Sequence, residues 1–217
     1  MKSPIIIIGM HRSGTSLVAK VLEKAGIFMG VIKDHNYEAM HFLSLNQQTL
    51  WAASASWLEP KVPEKLFWKT IPAKALYNEH FKINGKLQQL SYALKSPAWG
   101  WKDPRNTFTL NMWLSLFPNV KVIHVTRDCE EVAKSLSKRN TVKGEVNDPR
   151  LNDMNFNREL WKKYIDQGRS YKNLLGDRYF EIDYHEISTL NKTAITQLEK
   201  FTGKQLSQLF AHYVKTS

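Results

Sequence analysis

The chain has 217 residues, enough for one ordinary domain with a substantial core. Its 42% hydrophobic content and seven tryptophans exclude a disordered chain, and its single cysteine, Cys129, excludes an internal disulfide or a cysteine-built zinc cluster. Thirty-one basic against 20 acidic residues leave a net charge of +11, so the expected partner is anionic: a nucleotide, a nucleic acid, an acidic acceptor or a membrane surface.

The first elements lie in Pro4 to Gly26, PIIIIGMHRSGTSLVAKVLEKAG. Four β-branched isoleucines predict a strand, a turn bounded by Gly9 and Gly14 follows, and Leu17, Val18, Val21, Leu22 and Ala25 fall at helical spacing. This is strand, phosphate-cradling loop and helix, with the N–H groups of Ser13 to Ser16 facing an anion at the helix N-terminus. Against the P-loop pattern G-x-x-x-x-G-K-[ST], Gly9, Gly14 and Ser16 fit, but Thr15 stands where the lysine belongs. The positive charge sits inside the loop instead, as Arg12. Gly9, His11 and Arg12 break the apolar run too early for a signal peptide, and no later stretch reaches membrane-spanning length, so a soluble, cytoplasmic protein in a reducing compartment is expected.

Residues 31 to 94 carry no long apolar strand and read as a helical insertion, with Phe42, Leu45, Leu50, Trp51, Trp57, Phe67, Trp68 and Leu76 punctuated by Pro60, Pro63 and Pro72. Those aromatics are either helix-packing core or the lining of an acceptor pocket. Ala98 to Lys102 predicts a short strand, Asp103-Pro104-Arg105-Asn106 a turn, and Thr107 to Phe117 a helix stopped by Pro118. Val120 to Thr126 reads as a buried parallel strand, after which Asp128 caps a helix with Glu131 reaching back as in a capping box. Asn140 to Asn157 is a polar loop and a candidate lid. Trp161, Tyr164, Ile165, Tyr171 and Leu175 predict a helix with Gly168 as its weak point, Tyr179 to Tyr184 a last strand, and Ile187 to Phe201 one closing helix before Gly203. Strands alternating with helices give an α/β class with a parallel sheet covered on both faces, in one domain over residues 1–217.

A P-loop enzyme acting on ATP or GTP needs a lysine on the terminal phosphates and a strand-end acid for magnesium. Here the strand ending at Thr126 is followed by Arg127, a second cation. The bound anion is therefore expected to be gripped by arginine and backbone donors, without a metal. Arg127 and Ser135, eight positions apart, are placed to close on one phosphate. Lys102, at the carboxyl end of a candidate strand where open α/β sheets bind ligands, is taken as an active-site residue, with Asp103 and Arg105 in support. His124, inside an apolar strand, reads as a core histidine, and the histidines show no metal spacing.

GMHRSGTS followed by VIHVTRDCEEVAKS resembles the paired signature of sulfotransferases that use 3′-phosphoadenylyl sulfate (PAPS). WGWKDPRNT is similar to the W-G-W-K-D-P-R segment of bacterial-type members, YHEI resembles their Y-E-D-L block, and the resemblance runs from about residue 4 to 203. It implies a P-loop-like sulfotransferase fold, PAPS as donor, adenosine 3′,5′-bisphosphate (PAP) as product, and no metal. Carried over by position, Arg12 contacts the leaving oxygen, and His11, Ser13, Gly14, Thr15 and Ser16 belong to the donor-binding loop. Arg127 and Ser135 take the 3′-phosphate, and Tyr184 sits near the adenine. Lys102 assists Arg12. Glu38, in a segment NYE that resembles the glutamate-bearing block of glycan- and protein-directed members, is the preferred base over Asp34, His35, His41 and Asp103. The R-K-G block of the cytosolic small-molecule enzymes is missing, which argues against phenol and steroid acceptors; with small size, the insertion at 31–94 and the bacterial-type motif set, the resemblance implies a carbohydrate or other glycan hydroxyl as acceptor. The alternatives are a P-loop kinase and a non-catalytic basic binder; dispersed basic residues without a recognisable module make nucleic acid an unexpected partner.

Overall fold

Alternation divides the isoleucine run between two cores. Ile5 and Ile7 pack into one buried cluster, Ile6 and Ile8 into another on the opposite face, as the two-residue period of a strand requires. The computed structural model describes residues 2–64, 72–95, 97–141 and 147–215. In chain order these form β1 (Ile5–Gly9), α1 (Thr15–Lys24), α2 (Met40–Ala52), α3 (Ala73–His80), α4 (Lys86–Lys95), β2 (Gly100–Lys102), α5 (Asn106–Leu116), β3 (Lys121–Thr126) and α6 (Cys129–Arg139). Then follow α7 (Met154–Ser170), α8 (Lys172–Leu175), β4 (Tyr179–Asp183), α9 (Tyr184–Ser188), α10 (Lys192–Thr202) and α11 (Ser207–Lys215).

The sheet is parallel throughout, in the order β2-β1-β3-β4, with Ile5 opposite Gly100 and Lys121, and Val122 opposite Tyr179. A parallel sheet is buried on both faces, which is why its strands are apolar almost without interruption. On one face Ile5, Ile7, Ile123 and Val125 meet α1, α9, α10 and α11 through Val18, Leu22, Ile187, Leu198 and Phe210. On the other, Ile6, Ile8 and Val122 meet α2, α3 and α5, where Phe42 stacks on Trp101 with ring centroids 3.9 Å apart. A third cluster, including Met10, Phe108, Val132, Leu136, Leu160 and Tyr164, joins α5, α6 and α7. Among the described residues no helix is long and apolar enough to cross a membrane.

The expected α/β class and parallel sheet hold, with several local corrections. Glu131 does not complete a capping box at α6: its N–H donates to Asp128 Oδ1 at 3.0 Å, but its carboxylate accepts from Arg127 Nε at 2.7 Å. The capping box lies instead at Asp183 and Glu186, so β4 ends at Asp183 and Tyr184 opens a helix. The single closing helix is two, because Leu190 adopts φ 56° and Asn191 caps α10, and α11 follows as a further helix. The polar stretch 140–157 contains a short 3-10 turn, Pro149–Asn152, and α7 already begins within it at Met154; residues 142–146 of the proposed lid lie outside the described residues, as do Phe67 and Trp68. Gly168 does not interrupt α7, whose span continues to Ser170.

Candidate active site

Each strand delivers a chemically distinct group at its carboxyl end, and the groups meet in a cleft of about 240 Å³. This is where an open α/β sheet offers its crevice, and the chain's passage from β2 to β3 across β1 marks the switch point.

After β1 the loop turns sharply. Arg12 takes φ 71° and Gly14 φ 89°, the latter as the N-cap of α1. Left-handed backbone is strained for arginine and persists where surrounding contacts fix it. Arg12 Nε donates to Ser135 Oγ on α6 at 2.9 Å, and Arg127 Nη1 donates to the Arg12 carbonyl at 3.2 Å. Gly14 has no room for a side chain: a Cβ there would lie 2.2 Å from the Tyr184 ring. That ring in turn carries the Arg127 guanidinium 4.5 Å from its centroid. Arg127 is further held by Glu131, and its carbonyl accepts from Trp161 Nε1 at 2.9 Å.

By helix geometry the N–H groups of Gly14, Thr15 and Ser16 have no intrahelical acceptor and lie at the positive end of the dipole. Ser13 departs from the expected cradle. Its N–H donates to the Met10 carbonyl at 3.2 Å, and its buried Oγ has no partner. The Ser16 hydroxyl donates to the Asn36 carbonyl at 2.7 Å, tying the loop to the hairpin of residues 32–40.

That hairpin brings Glu38 into the cleft. Asp34 Oδ1 accepts from the N–H groups of Asn36 and Glu38, and the Asp34 N–H donates to the Glu38 carbonyl at 3.1 Å. Glu38 is 4% exposed. Its two carboxylate oxygens are taken separately, Oε1 by Lys102 Nζ and Oε2 by Arg105 Nη1, each at 3.0 Å. Burial works against the charge, but the cations, led by Lys102, outweigh it and hold the Glu38 pKa down at about 2.

The same Arg105 Nη1 donates to Asp103 Oδ1 at 2.9 Å. Asp103 is fully buried, and burial pushes its pKa up to about 6 despite Arg105 and the amide of Asn46. His11 lines the cleft beside these groups, its ring 4.6 Å from Trp57; burial pushes its pKa well below the usual range, and its buried Nε2 has no partner. Two further carboxylates, Asp128 just after β3 and Asp183 at the end of β4, cap α6 and α9.

The structure thus brings together His11, Arg12, Gly14, Thr15, Ser16, Glu38, Lys102, Arg127 and Tyr184 around one cleft, with Ser135 joined to it through Arg12 and Ser13 buried away from its lining. Asp34 serves the hairpin. His41 lies on another cavity, and His124 is a core residue whose Nδ1 lies 2.7 Å from Tyr179 Oη.

Sequence reasoning missed Arg139, which also lines the cleft. Its signal was available: it stands four residues after Ser135, on the same face of α6. Asn46 had no local signal. Buried in α2, it donates to Asp103 Oδ2 at 2.8 Å and Asn106 Oδ1 at 2.7 Å, and accepts from Thr109 Oγ1 at 2.6 Å and Trp113 Nε1 at 2.9 Å. All its hydrogen-bonding capacity is used, tying α2 to the turn after Lys102 through Asp103 and Asn106 and to α5 through Thr109 and Trp113.

Comparisons with known proteins agree with this architecture. No curated protein sequence matches the chain. The sulfotransferase domain from the curacin biosynthetic pathway has a similar fold, with a TM-score of 0.57 at 19% identity, covering 93% of this chain and 74% of that one. The sulfotransferase STF1 from Mycobacterium tuberculosis gives 0.57 at 15% identity over 100% of this chain and 71% of that one. The sulfotransferase domain of the olefin synthase from Synechococcus PCC 7002 gives 0.54 at 18% identity, covering 94% and 74%. At these identities the likeness is one of fold. The family is set by sequence: a model described as "Sulfotransferase family" matches residues 4–208, nearly the whole chain, and the protein belongs to that family.

Proposed function

We propose that the protein transfers a sulfuryl group from PAPS to a hydroxyl of a carbohydrate or other glycan. One observation carries the reading: Arg12 and Arg127, a helix N-terminus and a buried Glu38–Lys102 pair line a single cleft. The residues fit a doubly phosphorylated nucleotide. Gly14 leaves space for Tyr184, Tyr184 supports the Arg127 guanidinium, and Arg12 spans from the loop to Ser135. The donor supplies an activated sulfur whose bond to a phosphate oxygen breaks as the bond to the acceptor oxygen forms.

The protein's part is charge placement and proton acceptance. The N–H groups of Gly14, Thr15 and Ser16 hold the 5′-phosphate, and Arg127 with Ser135 holds the 3′-phosphate. Arg12, which cannot usefully give up a proton, stabilises the departing oxygen by charge. Glu38 is ionised throughout the physiological range and accepts the acceptor's proton. Its low basicity is conditional on its two cations. When Lys102 turns from Glu38 Oε1 toward the developing negative charge, Glu38 loses one of them and becomes more basic as the proton arrives.

The test is transfer of labelled sulfate from PAPS to a panel of saccharides, with Arg12→Ala and Glu38→Gln. Loss of one transition-state charge contact lowers the rate about 100-fold or more, and loss of the base lowers it by a similar factor. Glu38→Gln with full activity would remove Glu38 from the base role. Absence of transfer to every saccharide, with PAP still bound, would overturn the acceptor class.

A further inference from the structure

A second cavity of about 230 Å³ lies across the hairpin from the reaction cleft. Glu38 and Asn36 face the cleft, whereas Val31, Ile32, Ala39 and Met40 line this cavity together with His41, Glu79, His80 and Lys82. The hairpin is a thin wall: Lys33 bridges Ala39, and the Met40 N–H donates to the Ile32 carbonyl at 3.0 Å.

Isolated exposed apolar side chains are ordinary on a protein surface. Here three large ones converge on one cavity: Val31 is 51% exposed, Ile32 55% and Met40 40%. The polar side is largely settled within the protein, since His80 Nε2 donates to the Gly100 carbonyl at 3.0 Å and Lys82 pairs with Glu79. His41 is the exception. Its Nε2 is buried without a partner, and burial lowers its pKa, so the imidazole is neutral at physiological pH. A cavity with an apolar mouth and a neutral histidine in its wall is suited to an uncharged, mostly apolar group. Its volume exceeds the about 150 Å³ that houses a benzene ring.

We propose that this cavity holds the apolar portion of the acceptor, so that the acceptor is an amphiphile: a glycoside whose saccharide hydroxyl reaches Glu38 while an alkyl or aryl aglycone passes over the hairpin and lodges against the exposed Val31, Ile32 and Met40. The proposal rests on the sulfuryl-transfer reading for the identity of the cleft, and it commits the acceptor to a class that composition and motifs leave open.

The experiment is calorimetric titration with n-octyl β-D-glucoside, below its micellar concentration, and with methyl β-D-glucoside. It uses the wild type and the double variant Ile32→Asp/Met40→Asp. Both positions are exposed, so the variant retains the fold, which PAP titration and circular dichroism check. The octyl glucoside is expected to bind at least about tenfold more tightly than the methyl glucoside, as burying even two methylenes supplies. The double variant should erase that advantage while binding PAP as the wild type does. Equal affinity for the two glucosides, or an octyl preference that survives the double variant, would overturn the proposal. Failure of both proteins to bind PAP would sink the donor reading instead, and the glucoside comparison would still decide the cavity's role.

Discussion

Glu38 and Asp103 share one guanidinium nitrogen, and the sharing sets them apart chemically. Glu38, with Lys102 as a second cation, is held ionised; Asp103, sealed in the core with amide partners, is pushed toward protonation. The sign of the pH effect follows from Glu38's depressed pKa. Its contribution to stability is fully present above the ordinary carboxylate value of 4.5 and is lost as pH falls toward about 2. Glu38→Gln leaves two buried cations short of a partner, so at pH 7 it should destabilise by roughly 3 kcal/mol. Urea unfolding at pH 7 and pH 3 checks this: the gap between wild type and variant should shrink by more than half at the lower pH. A gap of equal size at both would mean that the ion pair adds nothing to stability. The pairing itself was not legible in the sequence. Glu38 stood out only through its resemblance-bearing segment, and its partners lie 64 and 67 positions away, beyond any local pattern.

Elements signalled by spacing were read well, and details set by a competing side chain or a distant neighbour were not. The isoleucine strand, the glycine-bounded loop and the Asp128 cap follow from spacing alone. Glu131 satisfied the capping-box pattern, yet a charged Arg127 beside it took the carboxylate. Gly168 shows the same principle. By propensity it is a flaw in α7, and replacing it with alanine in an exposed helix would add about 1 kcal/mol of stability. In the folded protein it is the space His124 occupies: a Cβ at this position would lie 2.5 Å from the His124 ring. Gly168→Ala should therefore lower the melting temperature, by the few degrees or more that overpacking costs. A melting temperature raised by the substitution would show that α7 shifts freely on the sheet.

At the scale of the molecule, a short parallel sheet brings four chain segments, separated by up to about 170 residues, to one edge. Long-range placement of this kind is what motif order alone could suggest but not draw. Thus Arg12 reaching Ser135 across 123 positions, and Asn46 bracing the turn after β2, become visible only in three dimensions. On the proposed reading, the net charge of +11 supplies a general attraction for anions and the cleft supplies the selection. The central claim is that this cleft recognises a nucleotide by its 3′-phosphate through Arg127. Calorimetric titration of PAP against AMP, in the wild type and in Arg127→Ala, tests it most directly. The wild type should prefer PAP by about tenfold to 100-fold, the value of a charge-assisted contact, and the variant should bind the two nearly alike. A wild type indifferent to the 3′-phosphate, or a preference that survives Arg127→Ala, would contradict the account.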